Sequence, residues 1–404
     1  MKVRLLNFED EKDFLQKMHL LKVDSIGQKI MSGKGIFYTL EIKNLNSLLC
    51  NVLKQEMLSL GGEVAVPRGV ITGKLKKSDC LVMGTLLHYQ KLIDKLKIQP
   101  WGLRALGGKI ELTLANVQRR RWDIKAGRFS LSLGKRTYLM GILNLTPDSF
   151  SDGGRFYRRP QEAIEFALKM AEEGADIIDV GGESTRPGAK TVSEDEELKR
   201  TIPVIKILSK RLKIPLSIDT CKAKVAKEAI EAGVSMVNDV SGLRGDKKMR
   251  EVVAHYKVPV VIMHMRGNPR TMQRNPVYAD LISEIIDYLE AGIDLASKAG
   301  ISVDDIIVDP GIGFGKTVEH NLIILKNLHQ FRVLGRPIMI GTSRKSFIGK
   351  VLNLDVDKRL YGTIASCSLA VINGANILRV HDVEEVKQAV KLIDAVIESG
   401  RCLN

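Results

Sequence analysis

The sequence predicts an α/β protein, in which a (β/α)8 TIM barrel covers about residues 137–398 and follows a small α/β N-terminal domain. Two observations predict the barrel. Eight short apolar runs alternate with helix-like stretches over this part of the chain, and nearly every run ends in polar or charged residues. Eight strands, each followed by a helix, are typical of a closed barrel. An open, doubly wound sheet is the alternative, and the count of eight favours closure.

The barrel elements follow in order along the chain. The predicted strands are 137–145, 176–182, 215–220, 236–241, 259–265, 305–311, 337–343 and 377–382. Helices are predicted at 161–174, 320–331 and 383–398, among others. In the first of these helices, Ala163, Phe166, Ala167 and Met170 recur at the spacing of one buried helix face. Gly174 follows where a C-cap glycine belongs.

Residues 1–130 are predicted to form the N-terminal domain and residues 131–404 the barrel domain. The first contains a predicted helix at 46–60, a strand at 63–73 that Pro67 interrupts, and a strand followed by a helix within 79–97. The charged segment 119–127 breaks the apolar periodicity. We therefore expect a linker near 118–135.

Composition excludes several classes of protein. The chain has 404 residues, of which 44% are hydrophobic and 27% charged, as in folded globular proteins. No apolar run approaches the ~18–20 residues that span a bilayer, so no membrane association is expected. The N-terminus turns acidic where a signal peptide needs its apolar region. The five cysteines are scattered and are interpreted as reduced thiols, so we expect a cytoplasmic protein.

Charge is distributed unevenly. The net charge is +15, and residues 1–134 hold 23 Lys or Arg against 12 Asp or Glu, a net of +11. Such a basic region suits either an acidic or nucleic-acid partner or a solvated lysine-rich surface. No RNA-binding motif or aromatic stacking platform is visible, so the solvated surface is favoured and nucleic acid is not expected as a partner.

Polar residues gather where the predicted strands end. In a barrel, those ends form one mouth, where active sites lie. A single such residue, for example Asp219, is also explained as a helix cap. Capping alone accounts poorly for the whole set, which is Asn144, Glu183, Asp219, Asn238, Asp239, Asp309, Ser343, Arg379 and His381.

Two loops carry unusual motifs. In NLTPDSFSDGG, the amide oxygen of Asn144 at a strand end, with loop carboxylates nearby, suits Mg²⁺, which prefers oxygen ligands and retains waters. In GGESTRPGA, Thr185 and Arg186 offer a hydroxyl and a planar five-donor fork to an anion, and Pro187 stiffens the loop.

The remaining polar groups suit a flat heterocycle and a diphosphate. Asp219, Asn238, Asp309 and Lys345 offer the donors and acceptors that an aminopyrimidinone edge requires. The glycines of 309–317 lack the spacing of a phosphate-binding P-loop, and are interpreted as a bend that brings Phe314 against a ring. Arg379 and His381 alternate on the last strand, so both side chains point the same way, where they can hold a diphosphate.

These motifs, in this order, closely resemble the bacterial dihydropteroate synthases of folate biosynthesis. The resemblance covers about 137–398 and rests mainly on NLTPDSFSDGG and GESTRPGA. It implies condensation of 6-hydroxymethyl-7,8-dihydropterin diphosphate with 4-aminobenzoate to give 7,8-dihydropteroate and diphosphate. It also implies a homodimer that forms through barrel helices, and a target of sulfonamides.

The resemblance assigns roles to individual residues. Mg²⁺ would bind Asn144 and Asp152. The pterin would bind Asp219, Asn238, Asp309, Phe314 and Lys345. The diphosphate would bind Arg379 and His381, with Asn144. The 4-aminobenzoate pocket would be framed by Thr185, Arg186, Pro187, Ser346 and Phe150. The expected catalytic residues are Arg379, His381, Asp309 and Lys345.

Two other functions remain open at this point. A pterin-binding methyltransferase barrel would share the Asp219, Asn238 and Asp309 type of site, but would not need the two loop motifs or the Arg379–His381 pair. A non-catalytic pterin or nucleic-acid binding protein is the third reading, and it would be favoured by loss of diphosphate-binding residues. Residues 1–130 are absent from the usual family barrel, and no function is assigned to them.

Overall fold

The computed structural model describes residues 1–8, 10–146, 159–184, 191–267 and 271–399. The chain separates into two compact units, Met1–Gln118 and Arg119–Asn404. Within the described ranges, no helix is both long enough and apolar enough to cross a membrane.

The N-terminal unit is a three-stranded antiparallel sheet with helices. Its strand order is β1-β3-β2. The elements are α1 (Glu11–Leu20), α2 (Ser25–Met31), β1 (Phe37–Asn46), α3 (Ser47–Ser59), β2 (Glu63–Ala65), α4 (Arg68–Ile71), β3 (Lys77–Thr85), α5 (Leu86–Lys97) and α6 (Leu103–Gln118), with a 3-10 turn at Ser32–Lys34.

Local sequence explains most of these boundaries. The Asn46 side chain accepts a hydrogen bond from the Leu48 amide and begins α3. Thr85 and His88 form a capping box that begins α5. The strand predicted for 63–73 is wrong beyond Ala65, where the observed strand ends. Proline has no backbone N–H to donate to a sheet, and the single helical turn α4 begins directly after Pro67. The core consists of buried apolar side chains, mainly from α3, β3, α5 and α6.

The second unit contains eight parallel strands that alternate with helices. Its elements are β4 (Trp122–Ala126), β5 (Phe129–Leu133), β6 (Tyr138–Asn144), α7 (Pro160–Glu172), β7 (Ile177–Gly181), α8 (Glu194–Arg211), β8 (Leu216–Asp219), α9 (Ala223–Glu231), β9 (Met236–Asp239), α10 (Lys248–Tyr256), β10 (Val260–Met263), α11 (Leu281–Lys298), β11 (Ile306–Asp309), α12 (Val318–Lys326), β12 (Met339–Ile340), α13 (Ser346–Leu352), α14 (Leu360–Ile372), β13 (Ile377–Val380) and α15 (Val383–Ser399).

The strands close into the predicted barrel. They pair in the order β11-β10-β9-β8-β7-β6-β13-β12. A parallel bridge between Val308 and Ile338 joins the two ends of this series. β12 spans only Met339 and Ile340, which is shorter than the predicted 337–343. The helix expected at 320–331 is α12 followed by a 3-10 helix over Leu328–Leu334.

The linker expected near 118–135 is wrong, because this segment forms the antiparallel hairpin β4–β5. Trp122, Ile124 and Ala126 are buried while the residues between them are exposed, which is the alternation of a strand with one buried face. The hairpin packs in one apolar cluster with residues near the start of the barrel strands, including Met140, Ile177 and Met236. The Trp122 indole also donates to the Gly335 carbonyl at 2.9 Å. The hairpin therefore covers the end of the barrel opposite the carboxyl ends of the strands.

Candidate active site

A cavity of about 440 Å³ opens at the carboxyl ends of the barrel strands. Eight of the nine polar strand-end residues from the sequence line it; they are Asn144, Glu183, Asp219, Asn238, Asp309, Ser343, Arg379 and His381. Phe314, Lys345 and Ser346 line it as well. Five candidate site residues lie outside the described part of the chain: Phe150, Asp152, Thr185, Arg186 and Pro187.

Asp239, the ninth strand-end residue, has a different role. Its carboxylate accepts hydrogen bonds from the Ser241 amide and hydroxyl and from the Leu243 amide. It is fully buried below the cavity and fixes the turn that follows β9.

Arg379 connects two carboxylates at the base of the cavity. Its Nε donates to Asp179 Oδ2 at 2.7 Å, and its Nη2 donates to Asp219 Oδ2 at 2.8 Å. The Asn238 amide donates to the same Asp179 oxygen at 3.0 Å. Strands β7, β8, β9 and β13 therefore meet in one polar network, which the barrel holds in place because each strand contributes one member.

Asp219 is an acceptor at the cavity wall and caps no helix. The first amide of α9, at Ala223, donates to Asp246 instead. Asp219 Oδ1 is buried and has no hydrogen-bond partner among the described residues. Burial raises the pKa of Asp219 to about 7, although Arg379 favours the ionised form. Such an oxygen can accept a hydrogen bond from the N–H of a bound ring.

Asp309 and Lys345 line the cavity with opposite charges, and each affects the pKa of the other. Burial raises the pKa of Asp309, which the Lys345 ammonium partly offsets. Burial lowers the pKa of Lys345 to about 8, against the effect of Asp309. Asp309 Oδ1 accepts from the Gly311 amide at 2.7 Å, which turns the chain directly after β11.

The loop after β11 is held by four side chains. The carbonyl of Ile312 accepts from Lys345, that of Gly313 from Gln273, that of Phe314 from Lys316 and that of Gly315 from Tyr278. The Phe314 ring lies in the cavity wall, with Lys345 Nζ 4.9 Å from its centroid.

His381 and Asn144 lie at the same cavity. Ser343 Oγ accepts from the His381 amide at 3.2 Å and lies 3.0 Å from His381 Nδ1. The Asn144 amide makes no hydrogen bond to the described residues, and Gly181 beside it leaves its Oδ1 uncrowded.

Glu183 holds the base of the second predicted loop. Its Oε1 accepts from the Val192 amide at 2.9 Å, and its Oε2 accepts from Lys222 at 2.7 Å. Lys222 also donates to the buried Glu197. The contact between Glu183 and Val192 joins two residues that flank 185–190.

Three buried polar residues of this region were not predicted as site residues. Asp179 lies within the apolar run 176–182, where it was counted as part of a strand. Lys316 is buried and contacts His264 Nδ1 at 2.8 Å, and burial lowers the pKa of both groups, that of His264 to about 2. A charged residue inside an otherwise apolar strand was the available signal for Asp179. No comparable signal marked His264.

Metal ligation gives a limited result. Among the described residues, no three His, Cys, Asp or Glu side chains come together as a metal site. Asn144 is the described member of the predicted Mg²⁺ pair, so the pairing with Asp152 stays a prediction.

Comparisons with known proteins agree on one family. A family model described as "Pterin binding enzyme" matches residues 140–381. A dihydropteroate synthase from Synechocystis is 51% identical over 274 residues, which are 68% of this chain and 94% of that protein. A probable bifunctional folylpolyglutamate synthase/dihydropteroate synthase from Halobacterium salinarum is 40% identical over 394 residues, covering 96% of this chain and 46% of its own length.

Solved structures give the same result. The Yersinia pestis dihydropteroate synthase with a sulfonamide drug complex is 41% identical, with a TM-score of 0.67, and covers 68% of this chain and 99% of its own. The Xanthomonas albilineans dihydropteroate synthase with 4-aminobenzoic acid is 41% identical, with a TM-score of 0.64, over 69% of this chain and 98% of its own.

Proposed function

The chain belongs to the dihydropteroate synthases, a family of pterin-binding enzymes, and on that premise we propose how its own residues carry out the reaction. The enzyme joins 6-hydroxymethyl-7,8-dihydropterin diphosphate to 4-aminobenzoate and releases diphosphate. The bond from the pterin methylene carbon to the diphosphate oxygen breaks, and a bond from that carbon to the aniline nitrogen forms. The aniline is neutral at pH 7, so its attack requires no strong general base, and the proton that its nitrogen then loses passes to the released diphosphate or to solvent.

The pterin ring binds at the base of the cavity. Asp219 Oδ1 accepts a ring N–H, which fills the acceptor left without a partner among the described residues. Asn238, Asp309 and Lys345 read the other polar edges, and Phe314 packs on the ring face. The unpartnered, buried Asp219 oxygen is the observation that carries this assignment, because burying an acceptor without a partner costs ~1–3 kcal/mol.

Arg379 and His381 hold the leaving diphosphate. Arg379 uses Nε and Nη2 on carboxylates, while the described residues give its Nη1 no partner. His381 lies at the same cavity and supplies a second donor from its ring. Donors aimed at the bridging oxygen act mainly as charge develops there, which lowers the barrier more than it strengthens substrate binding.

The carbon left behind is cationic in character, and two features support it. The pterin ring delocalises the positive charge, and the Asp309 carboxylate lies in the same cavity wall. Lys345, which contacts the loop that carries Phe314, fixes that wall. Water would trap such a cation, so exclusion of solvent by the bound ring and the surrounding loops protects the reaction.

Mg²⁺ fits the residues present, and we assign it to Asn144 with Asp152. The Asn144 oxygen faces the cavity with no hydrogen bond to the described residues, and Mg²⁺ typically takes one or two protein oxygens together with waters and phosphate. When bound, the ion would neutralise charge on the diphosphate. Asn144 is the last residue of β6, and its side-chain oxygen would be the metal ligand.

The 4-aminobenzoate site lies beside the diphosphate. Ser346, the first residue of α13, lines the cavity and offers a hydroxyl and an amide at a helix start. Thr185, Arg186, Pro187 and Phe150 complete this site in our proposal. Sulfonamides present a similar aniline, so they should compete with 4-aminobenzoate.

Diphosphate release separates the candidate functions. A synthase releases diphosphate from the pterin diphosphate in step with pteroate formation and only with 4-aminobenzoate present. A methyltransferase barrel or a non-catalytic binder would release none. Sulfonamide inhibition that is non-competitive against 4-aminobenzoate would contradict the pocket assignment, while leaving the overall reaction in place.

Assembly and location complete the proposal. Exposed apolar side chains on α12 and α14, including Leu322, Leu369 and Ile372, support a homodimer formed through barrel helices. Analytical ultracentrifugation tests this.

The four cysteines described are free, which supports a cytoplasmic location. The role of the N-terminal unit is left open between regulation, assembly and an added activity.

A further inference from the structure

We infer that Asp179 is a positioning residue, which sets the orientation of the Arg379 guanidinium and of the Asn238 amide for the reaction. The inference rests on the proposed function. Asp179 is fully buried and does not line the cavity, so it acts through the two residues that do.

The geometry begins with one oxygen. Asp179 Oδ2 accepts from Arg379 Nε at 2.7 Å and from Asn238 Nδ2 at 3.0 Å. Both donors belong to strands other than β7, which carries Asp179. One carboxylate oxygen therefore ties the residue that holds the leaving group to a residue that reads the ring.

The guanidinium plane is fixed by two anchors. A planar fork that is bound at Nε by Asp179 and at Nη2 by Asp219 has no remaining freedom to rotate. Its third nitrogen, Nη1, then lies at the end of the fork away from the Asp179 contact. In a cavity-lining arginine with 20% of its side chain exposed, this is the nitrogen left for an anion.

The second Asp179 oxygen supports this role. Oδ1 is buried and has no hydrogen-bond partner among the described residues. Burying a carboxylate in this way is unfavourable for folding. A purely structural carboxylate would be expected to use both oxygens, as Asp239 does on the turn after β9.

A double-mutant cycle tests the inference. Asp179→Asn should lower kcat on the order of 10–100-fold, because a misoriented fork no longer meets the bridging oxygen. In the Arg379→Ala background, the same change should lower kcat less than about 3-fold. The KM for the pterin diphosphate should rise in both backgrounds, since Asn238 is released in both. Losses in kcat that multiply would overturn the inference, as would a lower Tm with kcat intact.

Asp239→Asn is the matched control. It removes an equally buried strand-end carboxylate whose hydrogen bonds go to Ser241 and Leu243 rather than to the side chains of Arg379 and Asn238. We expect it to lower Tm, with any effect on kcat multiplying that of Arg379→Ala. Coupling of Asp239→Asn to Arg379 as strong as that of Asp179→Asn would also contradict the inference.

Two further measurements cover other outcomes. Titration of inorganic diphosphate into the wild type, both single variants and the double variant repeats the cycle without turnover. Loss of coupling between the two positions in these affinities overturns the inference, even if the wild type proves inactive. An inactive wild type would by itself refute the proposed function. If Asp179→Asn does not fold, Arg379→Lys replaces it. Lysine keeps the charge but cannot bind two carboxylates and present a third nitrogen, so kcat should fall at least tenfold. A near-wild-type Arg379→Lys enzyme would overturn the inference.

Discussion

The two units of the chain bury different kinds of side chain. Among the described residues, Ser47 is the one buried polar side chain of Met1–Gln118, whereas 21 lie in Arg119–Asn404. The N-terminal unit is therefore held together by apolar packing, and any chemistry it has belongs to its surface. The barrel instead places carboxylates, amides and cations at the ends of its strands, where burial shifts their pKa values. The difference locates the reaction in the barrel.

The largest expected effect tests this difference directly. Arg379→Ala should lower kcat ~10²–10³-fold, because it removes the diphosphate donor and leaves two buried carboxylates without their cation. Lys95→Ala removes an ion pair of the N-terminal unit, that with Glu56 at 2.7 Å, and should leave kcat unchanged. Steady-state kinetics of both variants give the comparison. Full activity in Arg379→Ala would refute the diphosphate assignment.

Stability should respond in both units, but activity in only one. Trp122→Ala should lower the free energy of unfolding of the barrel by ~3–5 kcal/mol, because it empties a buried site below the barrel and removes the donor to Gly335. Tyr89→Ala does the same to the N-terminal unit, where the Tyr89 hydroxyl donates to the Val82 carbonyl at 2.6 Å. Denaturant unfolding with parallel assays measures both. We expect only Trp122→Ala to shorten the lifetime of activity at elevated temperature.

A pH series tests whether burial of Asp219 in the site lowers the stability of the folded protein. The Asp219 carboxyl has a folded-state pKa raised by burial to about 7, against about 3.8 in the unfolded chain. Between these values the unfolded chain ionises first, so the folding stability from this group is lost as pH rises from about 4 to about 7. Asp219→Asn should therefore raise Tm relative to the wild type most at pH 7.5, and least near pH 4.

A binding measurement accompanies that series, and one outcome of the series would contradict it. Asp219→Asn should weaken binding of a pterin analogue in calorimetry, since the amide lacks the negative charge and has one acceptor oxygen where the carboxylate has one for Arg379 and one for the ring. A Tm difference that does not vary with pH would show that Asp219 is ionised throughout the range, and that Arg379 outweighs burial.

Removal of residues 1–118 should have the smallest effect. The Synechocystis dihydropteroate synthase aligns over 94% of its own length to 68% of this chain, and the described cavity residues all follow Arg119. We expect kcat/KM of the truncated protein to stay within a few-fold of that of the whole chain. A truncated protein that is folded by circular dichroism but inert would mean that the N-terminal unit contributes to the site.

Sequence alone predicted the barrel because its signal is local and repeated. Each strand is a compact apolar run, and polar residues at seven of the eight strand ends identified the mouth before any geometry was known. The hairpin β4–β5 was missed because Asp123 and Lys125 made a two-residue alternation look like a charged linker. Its buried face packs against strands that are distant in sequence, and such contacts leave no local signal.

The site residues also fall into a group that the sequence predicts and a group that it does not. Residues that face the cavity, such as Asp219 and Arg379, were predictable from their chemistry and position. The link from Arg379 through Asp179 to Asn238 was not predictable, because Asp179 and Arg379 lie 200 positions apart in the sequence. The pairing of Lys316 with His264 depends likewise on two loops that meet only in the folded barrel.

The loop after β11 has a consequence for binding. Its four consecutive carbonyls, from Ile312 to Gly315, are each held by a different side chain. The conformational entropy of this loop is therefore lost when the protein folds, before any ligand arrives. A flat ring that stacks on Phe314 meets a surface that is already ordered, so its affinity is not reduced by the need to organise the loop. The loop acts as a preorganised wall of the site.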